Sequence, residues 1–192
     1  RRVRVVTQNN GGLVAALNRG LHEVNTQFIA RMDADDVSHP QRLQRQLLFL
    51  MNRADCDLVG CSANHIGKSS DIGSWPVFMP ERHEDILAAM LKRKSAIIHA
   101  TIFARAEAFA RAGEYSAEAW PAEDYEMFFR IGVAGRLANI PEALYSIRLH
   151  ETSITARAIM KGQRQYEAVC ERYRPGFSQV QADRLNHSIA LV

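Results

Sequence analysis

The stretch Thr26-Gln-Phe-Ile-Ala-Arg-Met-Asp-Ala-Asp-Asp36 runs from an apolar segment straight into three carboxylates. Thr26 to Met32 predicts a buried strand, and Asp33, Asp35 and Asp36 stand where that strand ends. Carboxylates packed this closely repel one another unless a cation sits among them. A divalent metal is the natural partner, because magnesium and manganese take oxygen ligands and are usually held by one or two carboxylates plus substrate phosphates. The implied ligand is a metal-bound diphosphate. The plainer alternative is a solvated acidic turn with an N-capping Asp.

Working upstream, Asn9-Asn10-Gly11-Gly12 reads as a turn, preceded by a short strand at Val3, Val5 and Val6. Leu13, Ala16, Leu17 and Leu21 form the stripe of a helix ending near His22. Downstream, Ser38 with Pro40 and Gln41 predicts a helix start. Its buried stripe is Leu43, Leu47, Leu48, Phe49 and Leu50, and its opposite face carries Arg42, Arg45 and Arg53. Asp57 to Ser62 reads as a strand, 67–74 as a polar loop, 81–93 as a helix and 97–105 as β-like. A short helix over 106–112 is closed by Gly113, and a loop through Trp120-Pro121 leads to a helix from Ala122 to about Ala134, stopped by Gly135. Segments 136–140 and 143–149 read as strands separated by Pro141. A helix over 156–174 and a last helical stretch beyond Pro175-Gly176 follow. Strands and helices alternate, which defines the α/β class.

The 192 residues are 47% hydrophobic and carry 24 basic against 21 acidic side chains, a net charge of +3. These values describe a single globular domain and exclude whole-chain disorder. Interleaved charges of that balance do not make the concentrated basic face of a nucleic-acid groove, so no nucleic-acid partner is expected. Cys56, Cys61 and Cys170 are odd in number, lack metal-ligand spacing and read as reduced thiols of a cytoplasmic protein. No uncharged apolar run reaches the roughly 18 residues of a membrane span. Peripheral attachment through a surface helix stays open.

Glu123-Asp124 opens a helix behind Trp120-Pro121. Carboxylates there gain from the helix dipole, so simple capping is one reading; a general base against the partly apolar wall of Trp120, Tyr125 and Phe128 is the other. His150 follows the strand 143–149, and His99 and Arg105 flank another β segment; a structural role suits all three. The sequence lacks GxGxxG after a strand, a Walker lysine loop, HExxH and GxSxG. Dinucleotide oxidoreductases, P-loop NTPases, zincins and α/β-hydrolases therefore lose ground.

Taken in order, Asn10-Gly-Gly-Leu13, Ala16-Leu-Asn18-Arg-Gly20, Ile29-Ala-Arg-Met-Asp33-Ala-Asp35-Asp36, Arg42-Leu43 and Asp57-Leu-Val-Gly60 form one series. His99-Ala-Thr101, Gly113-x-Tyr115, Ala122-Glu-Asp124-Tyr125 with Arg130, and Tyr145-x-x-Arg148-x-His150-x-x-Ser153 continue it. Over residues 3–155 this series resembles a family 2 glycosyltransferase of the GT-A fold. The resemblance implies an α/β, GT-A-like mixed sheet flanked by helices, N-terminally truncated, with C-terminal helices. The partial glycosyltransferase domain would span 1–155 and the helical extension 156–192. It also implies metal-dependent, inverting transfer from a nucleotide-diphosphate sugar to an acceptor hydroxyl in one displacement. Asp33 would lie by the donor ribose and the metal, Asp35 would bind Mn²⁺ or Mg²⁺, and Asp36 would help. Asn10, Gly11, Asn18 and Arg31 would contact the donor, Asp124 would be the catalytic base, and His150 would sit near the diphosphate or metal.

Family members begin with a strand and an aspartate-containing loop that hold the nucleotide base, and the resemblance implies that Arg1 falls after that point. The strand Thr26 to Met32 is then expected to present an unpaired edge, through which a second copy would pair. The expected acceptor is a saccharide or a lipid-linked saccharide of bacterial surface polysaccharide assembly, in the cytoplasm or at the inner face of its membrane. Acceptor choice would reside in 67–77 and the C-terminal helices. Two other readings stand beside the transferase: a nucleotidyltransferase, and a truncated domain kept as a binding or assembly module.

Overall fold

The computed structural model describes residues 3–67, 75–149 and 163–176. Its spine is a parallel pair, β3 (Leu58–Ile66) and β6 (Leu137–Arg148), in register from Leu58 opposite Leu137 to Ile66 opposite Arg148. On the other edge of β3, β5 (Phe103–Arg105) and β4 (Trp75–Val77) pair antiparallel at its two ends. β1 (Phe28–Ala30) pairs antiparallel with β5, and β2 (Val37–Ser38) with β6. The order is β1-β5-β3-β6-β2 with β4 beside β3, a mixed sheet in which β1 is an edge strand among the described residues.

Helices cover both faces: α1 (Gly12–His22), α2 (Arg42–Met51), α3 (His83–Leu91), α4 (Ala106–Ala112) and α5 (Glu123–Ala134), with α6 over 163–176. Strand alternation splits the apolar side chains between two cores. Leu58 and Ala104 face Met90, Phe109 and Phe129 of α3, α4 and α5, whereas Val59 and Phe103 face Leu50 of α2. Each of the larger side chains stabilises the fold by about 1.5–3 kcal/mol on full burial. The three cysteines are buried and unbridged, and burial pushes the Cys56 and Cys61 thiols up to about 11.

Several expectations from sequence are corrected. Residues 3–11 form no strand, because no neighbour among the described residues pairs with them, and Val3 and Val5 are exposed. Ser38 does not cap α2: it lies in β2, and its Oγ accepts from Arg42 Nε at 2.8 Å. The face of α2 is also rotated. Arg42, Gln46 and Leu50 turn inward, leaving Leu43 and Leu48 48% and 50% exposed. Interior carbonyls need donors, and Gln46 Nε2 supplies Val59 and Thr101 (3.1 and 2.7 Å) while Arg42 supplies Arg31 and Ala100.

Pro141 does not divide two strands. β6 runs through it, since Cys61 opposes Ile140 and Ser62 opposes Ala143, so that Pro141 and Glu142 bulge out exposed. Segment 97–105 splits into a 3-10 turn at His99–Thr101 and strand β5. The stop at Gly113 stands, with φ +83° where a side chain would be strained. The expected helix over 156–174 is described only as α6, while the loop 68–74 and everything beyond 176 lie outside the described residues.

Candidate active site

β1 ends at Ala30, but its backbone direction continues, since Arg31 N–H donates to Ile102 O at 3.1 Å. The acidic turn that follows is held at several points. The Asp33 N–H donates to the Tyr145 hydroxyl (3.0 Å), and Arg31 forks onto both Asp33 oxygens at 2.6 and 3.0 Å. Asp36 turns inward, accepting from Arg148 N–H at 2.8 Å and from the Tyr145 hydroxyl; burial raises its carboxyl above the ordinary value. Arg148 Nε donates to the Asp35 carbonyl at 2.9 Å, fixing the backbone between the two. Asp35 is exposed. Beneath the turn lies the guanidinium of Arg42, 2% exposed, donating to Arg31 O and Ala100 O and stacked 5.1 Å from the Tyr145 ring centre. Burial lowers its pKa.

A second group gathers at the start of α5. Asp124 Oδ1 accepts from Tyr125 N–H at 2.7 Å, and Oδ2 lies 4.0 Å from His99 Nδ1. The Asp124 side chain keeps 26% exposure, yet burial raises its carboxyl above the ordinary range, offset in part by the Tyr125 N–H and then by Arg31. Burial, and then the charge of Arg31, holds the His99 imidazole well below its ordinary value, so it is neutral. His99 Nε2 hydrogen-bonds the Tyr115 hydroxyl at 2.8 Å, and Phe128 sits edge-on to the ring. Glu123 is 4% exposed; burial, and then the charge of Asp124, pushes its carboxyl up to about 7. Arg31 therefore joins the two groups, paired with Asp33 while its charge acts on Asp124 and His99.

The other expected donor contacts are placed differently. Asn10 Oδ1 accepts from Gly12 N–H at 3.1 Å and Gly11 caps α1, both exposed. Asn18 uses both ends of its amide on Tyr115, donating to its carbonyl (2.9 Å) and accepting from its N–H (2.8 Å). His150 lies outside the described residues. Sequence reasoning missed the roles of Arg42 and Tyr145; the signal available was an arginine one helical turn after Ser38, read as solvent-facing. A cavity of about 260 Å³ lined by Arg53, His83, Arg136 and Asn139 shares no residue with either group. Arg136 there already pairs with Asp55 and Glu84.

No three carboxylate, imidazole or thiol side chains converge among the described residues. An oxygen-loving divalent ion does not need three, because one or two carboxylates suffice when a diphosphate supplies the remaining oxygens. Exposed Asp35 beside a pinned Asp33 fits that donor set.

Residues 1–116 match the sequence model of Glycosyl transferase family 2, and the chain belongs to that family. Among curated relatives, the O-antigen biosynthesis glycosyltransferase WbnJ of Escherichia coli is 27% identical over 82% of this chain and 61% of its own. The amylovoran biosynthesis glycosyltransferase AmsE of Erwinia amylovora is 27% identical over 81% of this chain and 57% of its own. The chain thus spans somewhat over half the length of these relatives. Two solved structures share the architecture. Staphylococcus aureus TarS 1–349 superposes with a TM-score of 0.60 at 14% identity, covering 85% of this chain and 46% of that one. The mannosyltransferase PcManGT from Pyrobaculum calidifontis, in complex with GDP-Man and Mn²⁺, gives 0.58 at 18% identity, covering 88% and 47%. These likenesses identify the mixed sheet as a GT-A-type fold. Among the described residues no helix is long and apolar enough to cross a membrane.

Proposed function

We propose that this chain carries the acid–base and metal-binding part of an inverting glycosyltransferase that moves a sugar from a nucleotide-diphosphate donor to a saccharide hydroxyl. The observation that carries the reading is the acidic turn, where Arg31 forks onto Asp33 and leaves Asp35 exposed beside it, together with the Asp124 carboxylate at the head of α5. Asp35, with Asp33, would hold Mn²⁺ or Mg²⁺, which when bound neutralises charge on the departing diphosphate. Arg31 holds Asp33 fixed in direction through its forked pair of hydrogen bonds. Asp124 takes the proton: Oδ1 is tied to the helix N–H, so Oδ2 is left to face the acceptor hydroxyl, and its raised pKa makes it a better base. The acceptor oxygen then attacks the anomeric carbon opposite the leaving diphosphate, inverting it. The relatives' names, O-antigen and amylovoran biosynthesis, support a bacterial polysaccharide acceptor. The second copy expected at the β1 edge belongs to the same proposal; light scattering that finds only monomer at high concentration removes it.

The test is melting with UDP, GDP, dTDP and CDP, each with Mn²⁺ or EDTA, alongside Asp35→Asn and Asp124→Asn. Stabilisation that needs metal and Asp35, with turnover falling about 10²–10⁴-fold in Asp124→Asn while nucleotide stabilisation persists, supports the proposal. Metal-independent stabilisation, or full turnover by Asp124→Asn, overturns it.

A further inference from the structure

His99 is almost fully enclosed, with its side chain 9% exposed, and no step above uses it. Its surroundings are built from separate elements. Tyr115, 5% exposed, arrives from the loop after α4, and Asn18 of α1 fastens that loop by two hydrogen bonds to the Tyr115 backbone. Phe128 of α5 closes one side of the imidazole, 5.9 Å between ring centres. The two ring nitrogens then have different partners: Nε2 meets the Tyr115 hydroxyl at 2.8 Å, and Nδ1 lies 4.0 Å from Asp124 Oδ2, near enough for charge–dipole attraction though beyond a direct hydrogen bond.

A neutral imidazole carries its proton on one nitrogen, and the hydrogen bond at the other decides which. Tyr115 keeps its proton, since burial and the charge of Asp124 push the phenol up. If the Tyr115 O–H donates to Nε2, the proton must sit on Nδ1 and faces the carboxylate. The opposite tautomer would aim a lone pair at an anion. We propose that His99 is a positioning residue for Asp124: Tyr115 locks it as the Nδ1–H tautomer, and that N–H orients Oδ2 and favours the ionised carboxylate. The role rests on the reading of Asp124 as the base. The other groups acting on Asp124 are Arg31, which favours the anion, and Glu123 of its own helix, Tyr115 and Tyr166 of α6, which share its surroundings.

The test needs no substrate. Long-range ¹H–¹⁵N spectra of the imidazole at pH 7 should show His99 as the Nδ1–H tautomer; the Nε2–H tautomer overturns the proposal. A ¹³C-carboxyl titration, with Asp124 assigned from the signal lost in Asp124→Asn, should show its midpoint rising in His99→Phe. His99→Asn, whose amide N–H reproduces the Nδ1 donor, should restore the midpoint; a purely space-filling role predicts the reverse order of the two variants. If His99→Phe fails to fold, Tyr115→Phe, which removes a single oxygen, must move the midpoint the same way. An unmoved midpoint overturns the proposal. Full turnover in Asp124→Asn would defeat the base assignment while leaving these shifts intact, so the two failures are distinguishable.

Discussion

Arg31 grips Asp33 with two nitrogens, Nη2 to Oδ1 at 2.6 Å and Nη1 to Oδ2 at 3.0 Å, although the residues are only two apart. On an extended chain, residues i and i+2 face the same side, so the alternation that shapes β1 also delivers the guanidinium to the carboxylate. A forked pair fixes direction as well as charge. The same cation acts on Asp124 and His99, which come from elements far along the chain.

Arg31 should therefore set the pH range of turnover. Its charge lowers the pKa of Asp124, so Arg31→Met should move the acid limb of kcat/KM upward. Arg31→Lys keeps the charge without the fork and should leave the limb in place while loosening Asp33 and weakening donor binding. A limb unmoved in Arg31→Met would mean that the acidic turn and the α5 carboxylate do not communicate.

Arg42 tests the foundation of the turn. Its guanidinium donates to Ser38 Oγ, Arg31 O and Ala100 O, so Arg42→Ala strands two interior carbonyls. Each costs about 1–3 kcal/mol when left unpaired. Urea unfolding should show a loss of about 2–4 kcal/mol, and Arg42→Lys should recover only part of it because an ammonium cannot span the three acceptors. A neutral Arg42→Ala would show that water replaces these bonds.

Arg42 also marks where sequence reasoning stops. The α/β class, the strand before Asp33 and the helix opening at Glu123 were readable, because each rests on local periodicity or on a turn residue. The inward face of α2 was not. Polar residues look outward by pattern, and only buried carbonyls from distant segments, Val59 in β3 and Ala100 and Thr101 in the 3-10 turn, draw Arg42 and Gln46 inward. Pro141 misled for a related reason: a bulge is a property of two strands in register, and one strand's sequence shows only the proline. At the site, the carboxylates were legible as a pattern of charge. Tyr145 stood out only as a motif position; its hold on the Asp33 N–H, more than a hundred residues away, was not legible.

Gly60 and Gly20 should respond in opposite directions to alanine. A Cβ on Gly60 would stand 2.3 Å from Asn139 Oδ1 and 3.2 Å from Thr101 Oγ1. Asn139 cannot retreat without releasing Pro80 O and Ala96 O, which it holds at 2.7 and 2.8 Å. Gly60→Ala should cost about 1–3 kcal/mol. Gly20, within α1 and with no described residue within 4 Å of its added Cβ, should gain about 0.5–1 kcal/mol on Gly20→Ala. Paired melting curves check both; a stable Gly60→Ala would show that the Asn139 bridge is dispensable.

Glu123 should make stability fall as pH rises. Its buried Oε2 has no hydrogen-bond partner among the described residues, and its folded pKa is raised to about 7 from an ordinary value of 4.5. The folded state therefore binds this proton more tightly than the unfolded chain. The stability it confers is complete below about 4.5, declines as pH climbs through about 7 and levels off above that. A difference of this size corresponds to at most about 3 kcal/mol. Glu123→Gln keeps the shape and cannot ionise, so urea unfolding at pH 5, 6, 7 and 8 should give a flatter profile, with the variant the more stable at pH 8. Some slope should remain, because burial raises Asp124 in the same direction, and Asp124→Asn in the Glu123→Gln background should reduce it further. Equal slopes for the parent and Glu123→Gln would show that Glu123 ionises in the fold as easily as in water, and that its burial is compensated by a group it reaches in solution.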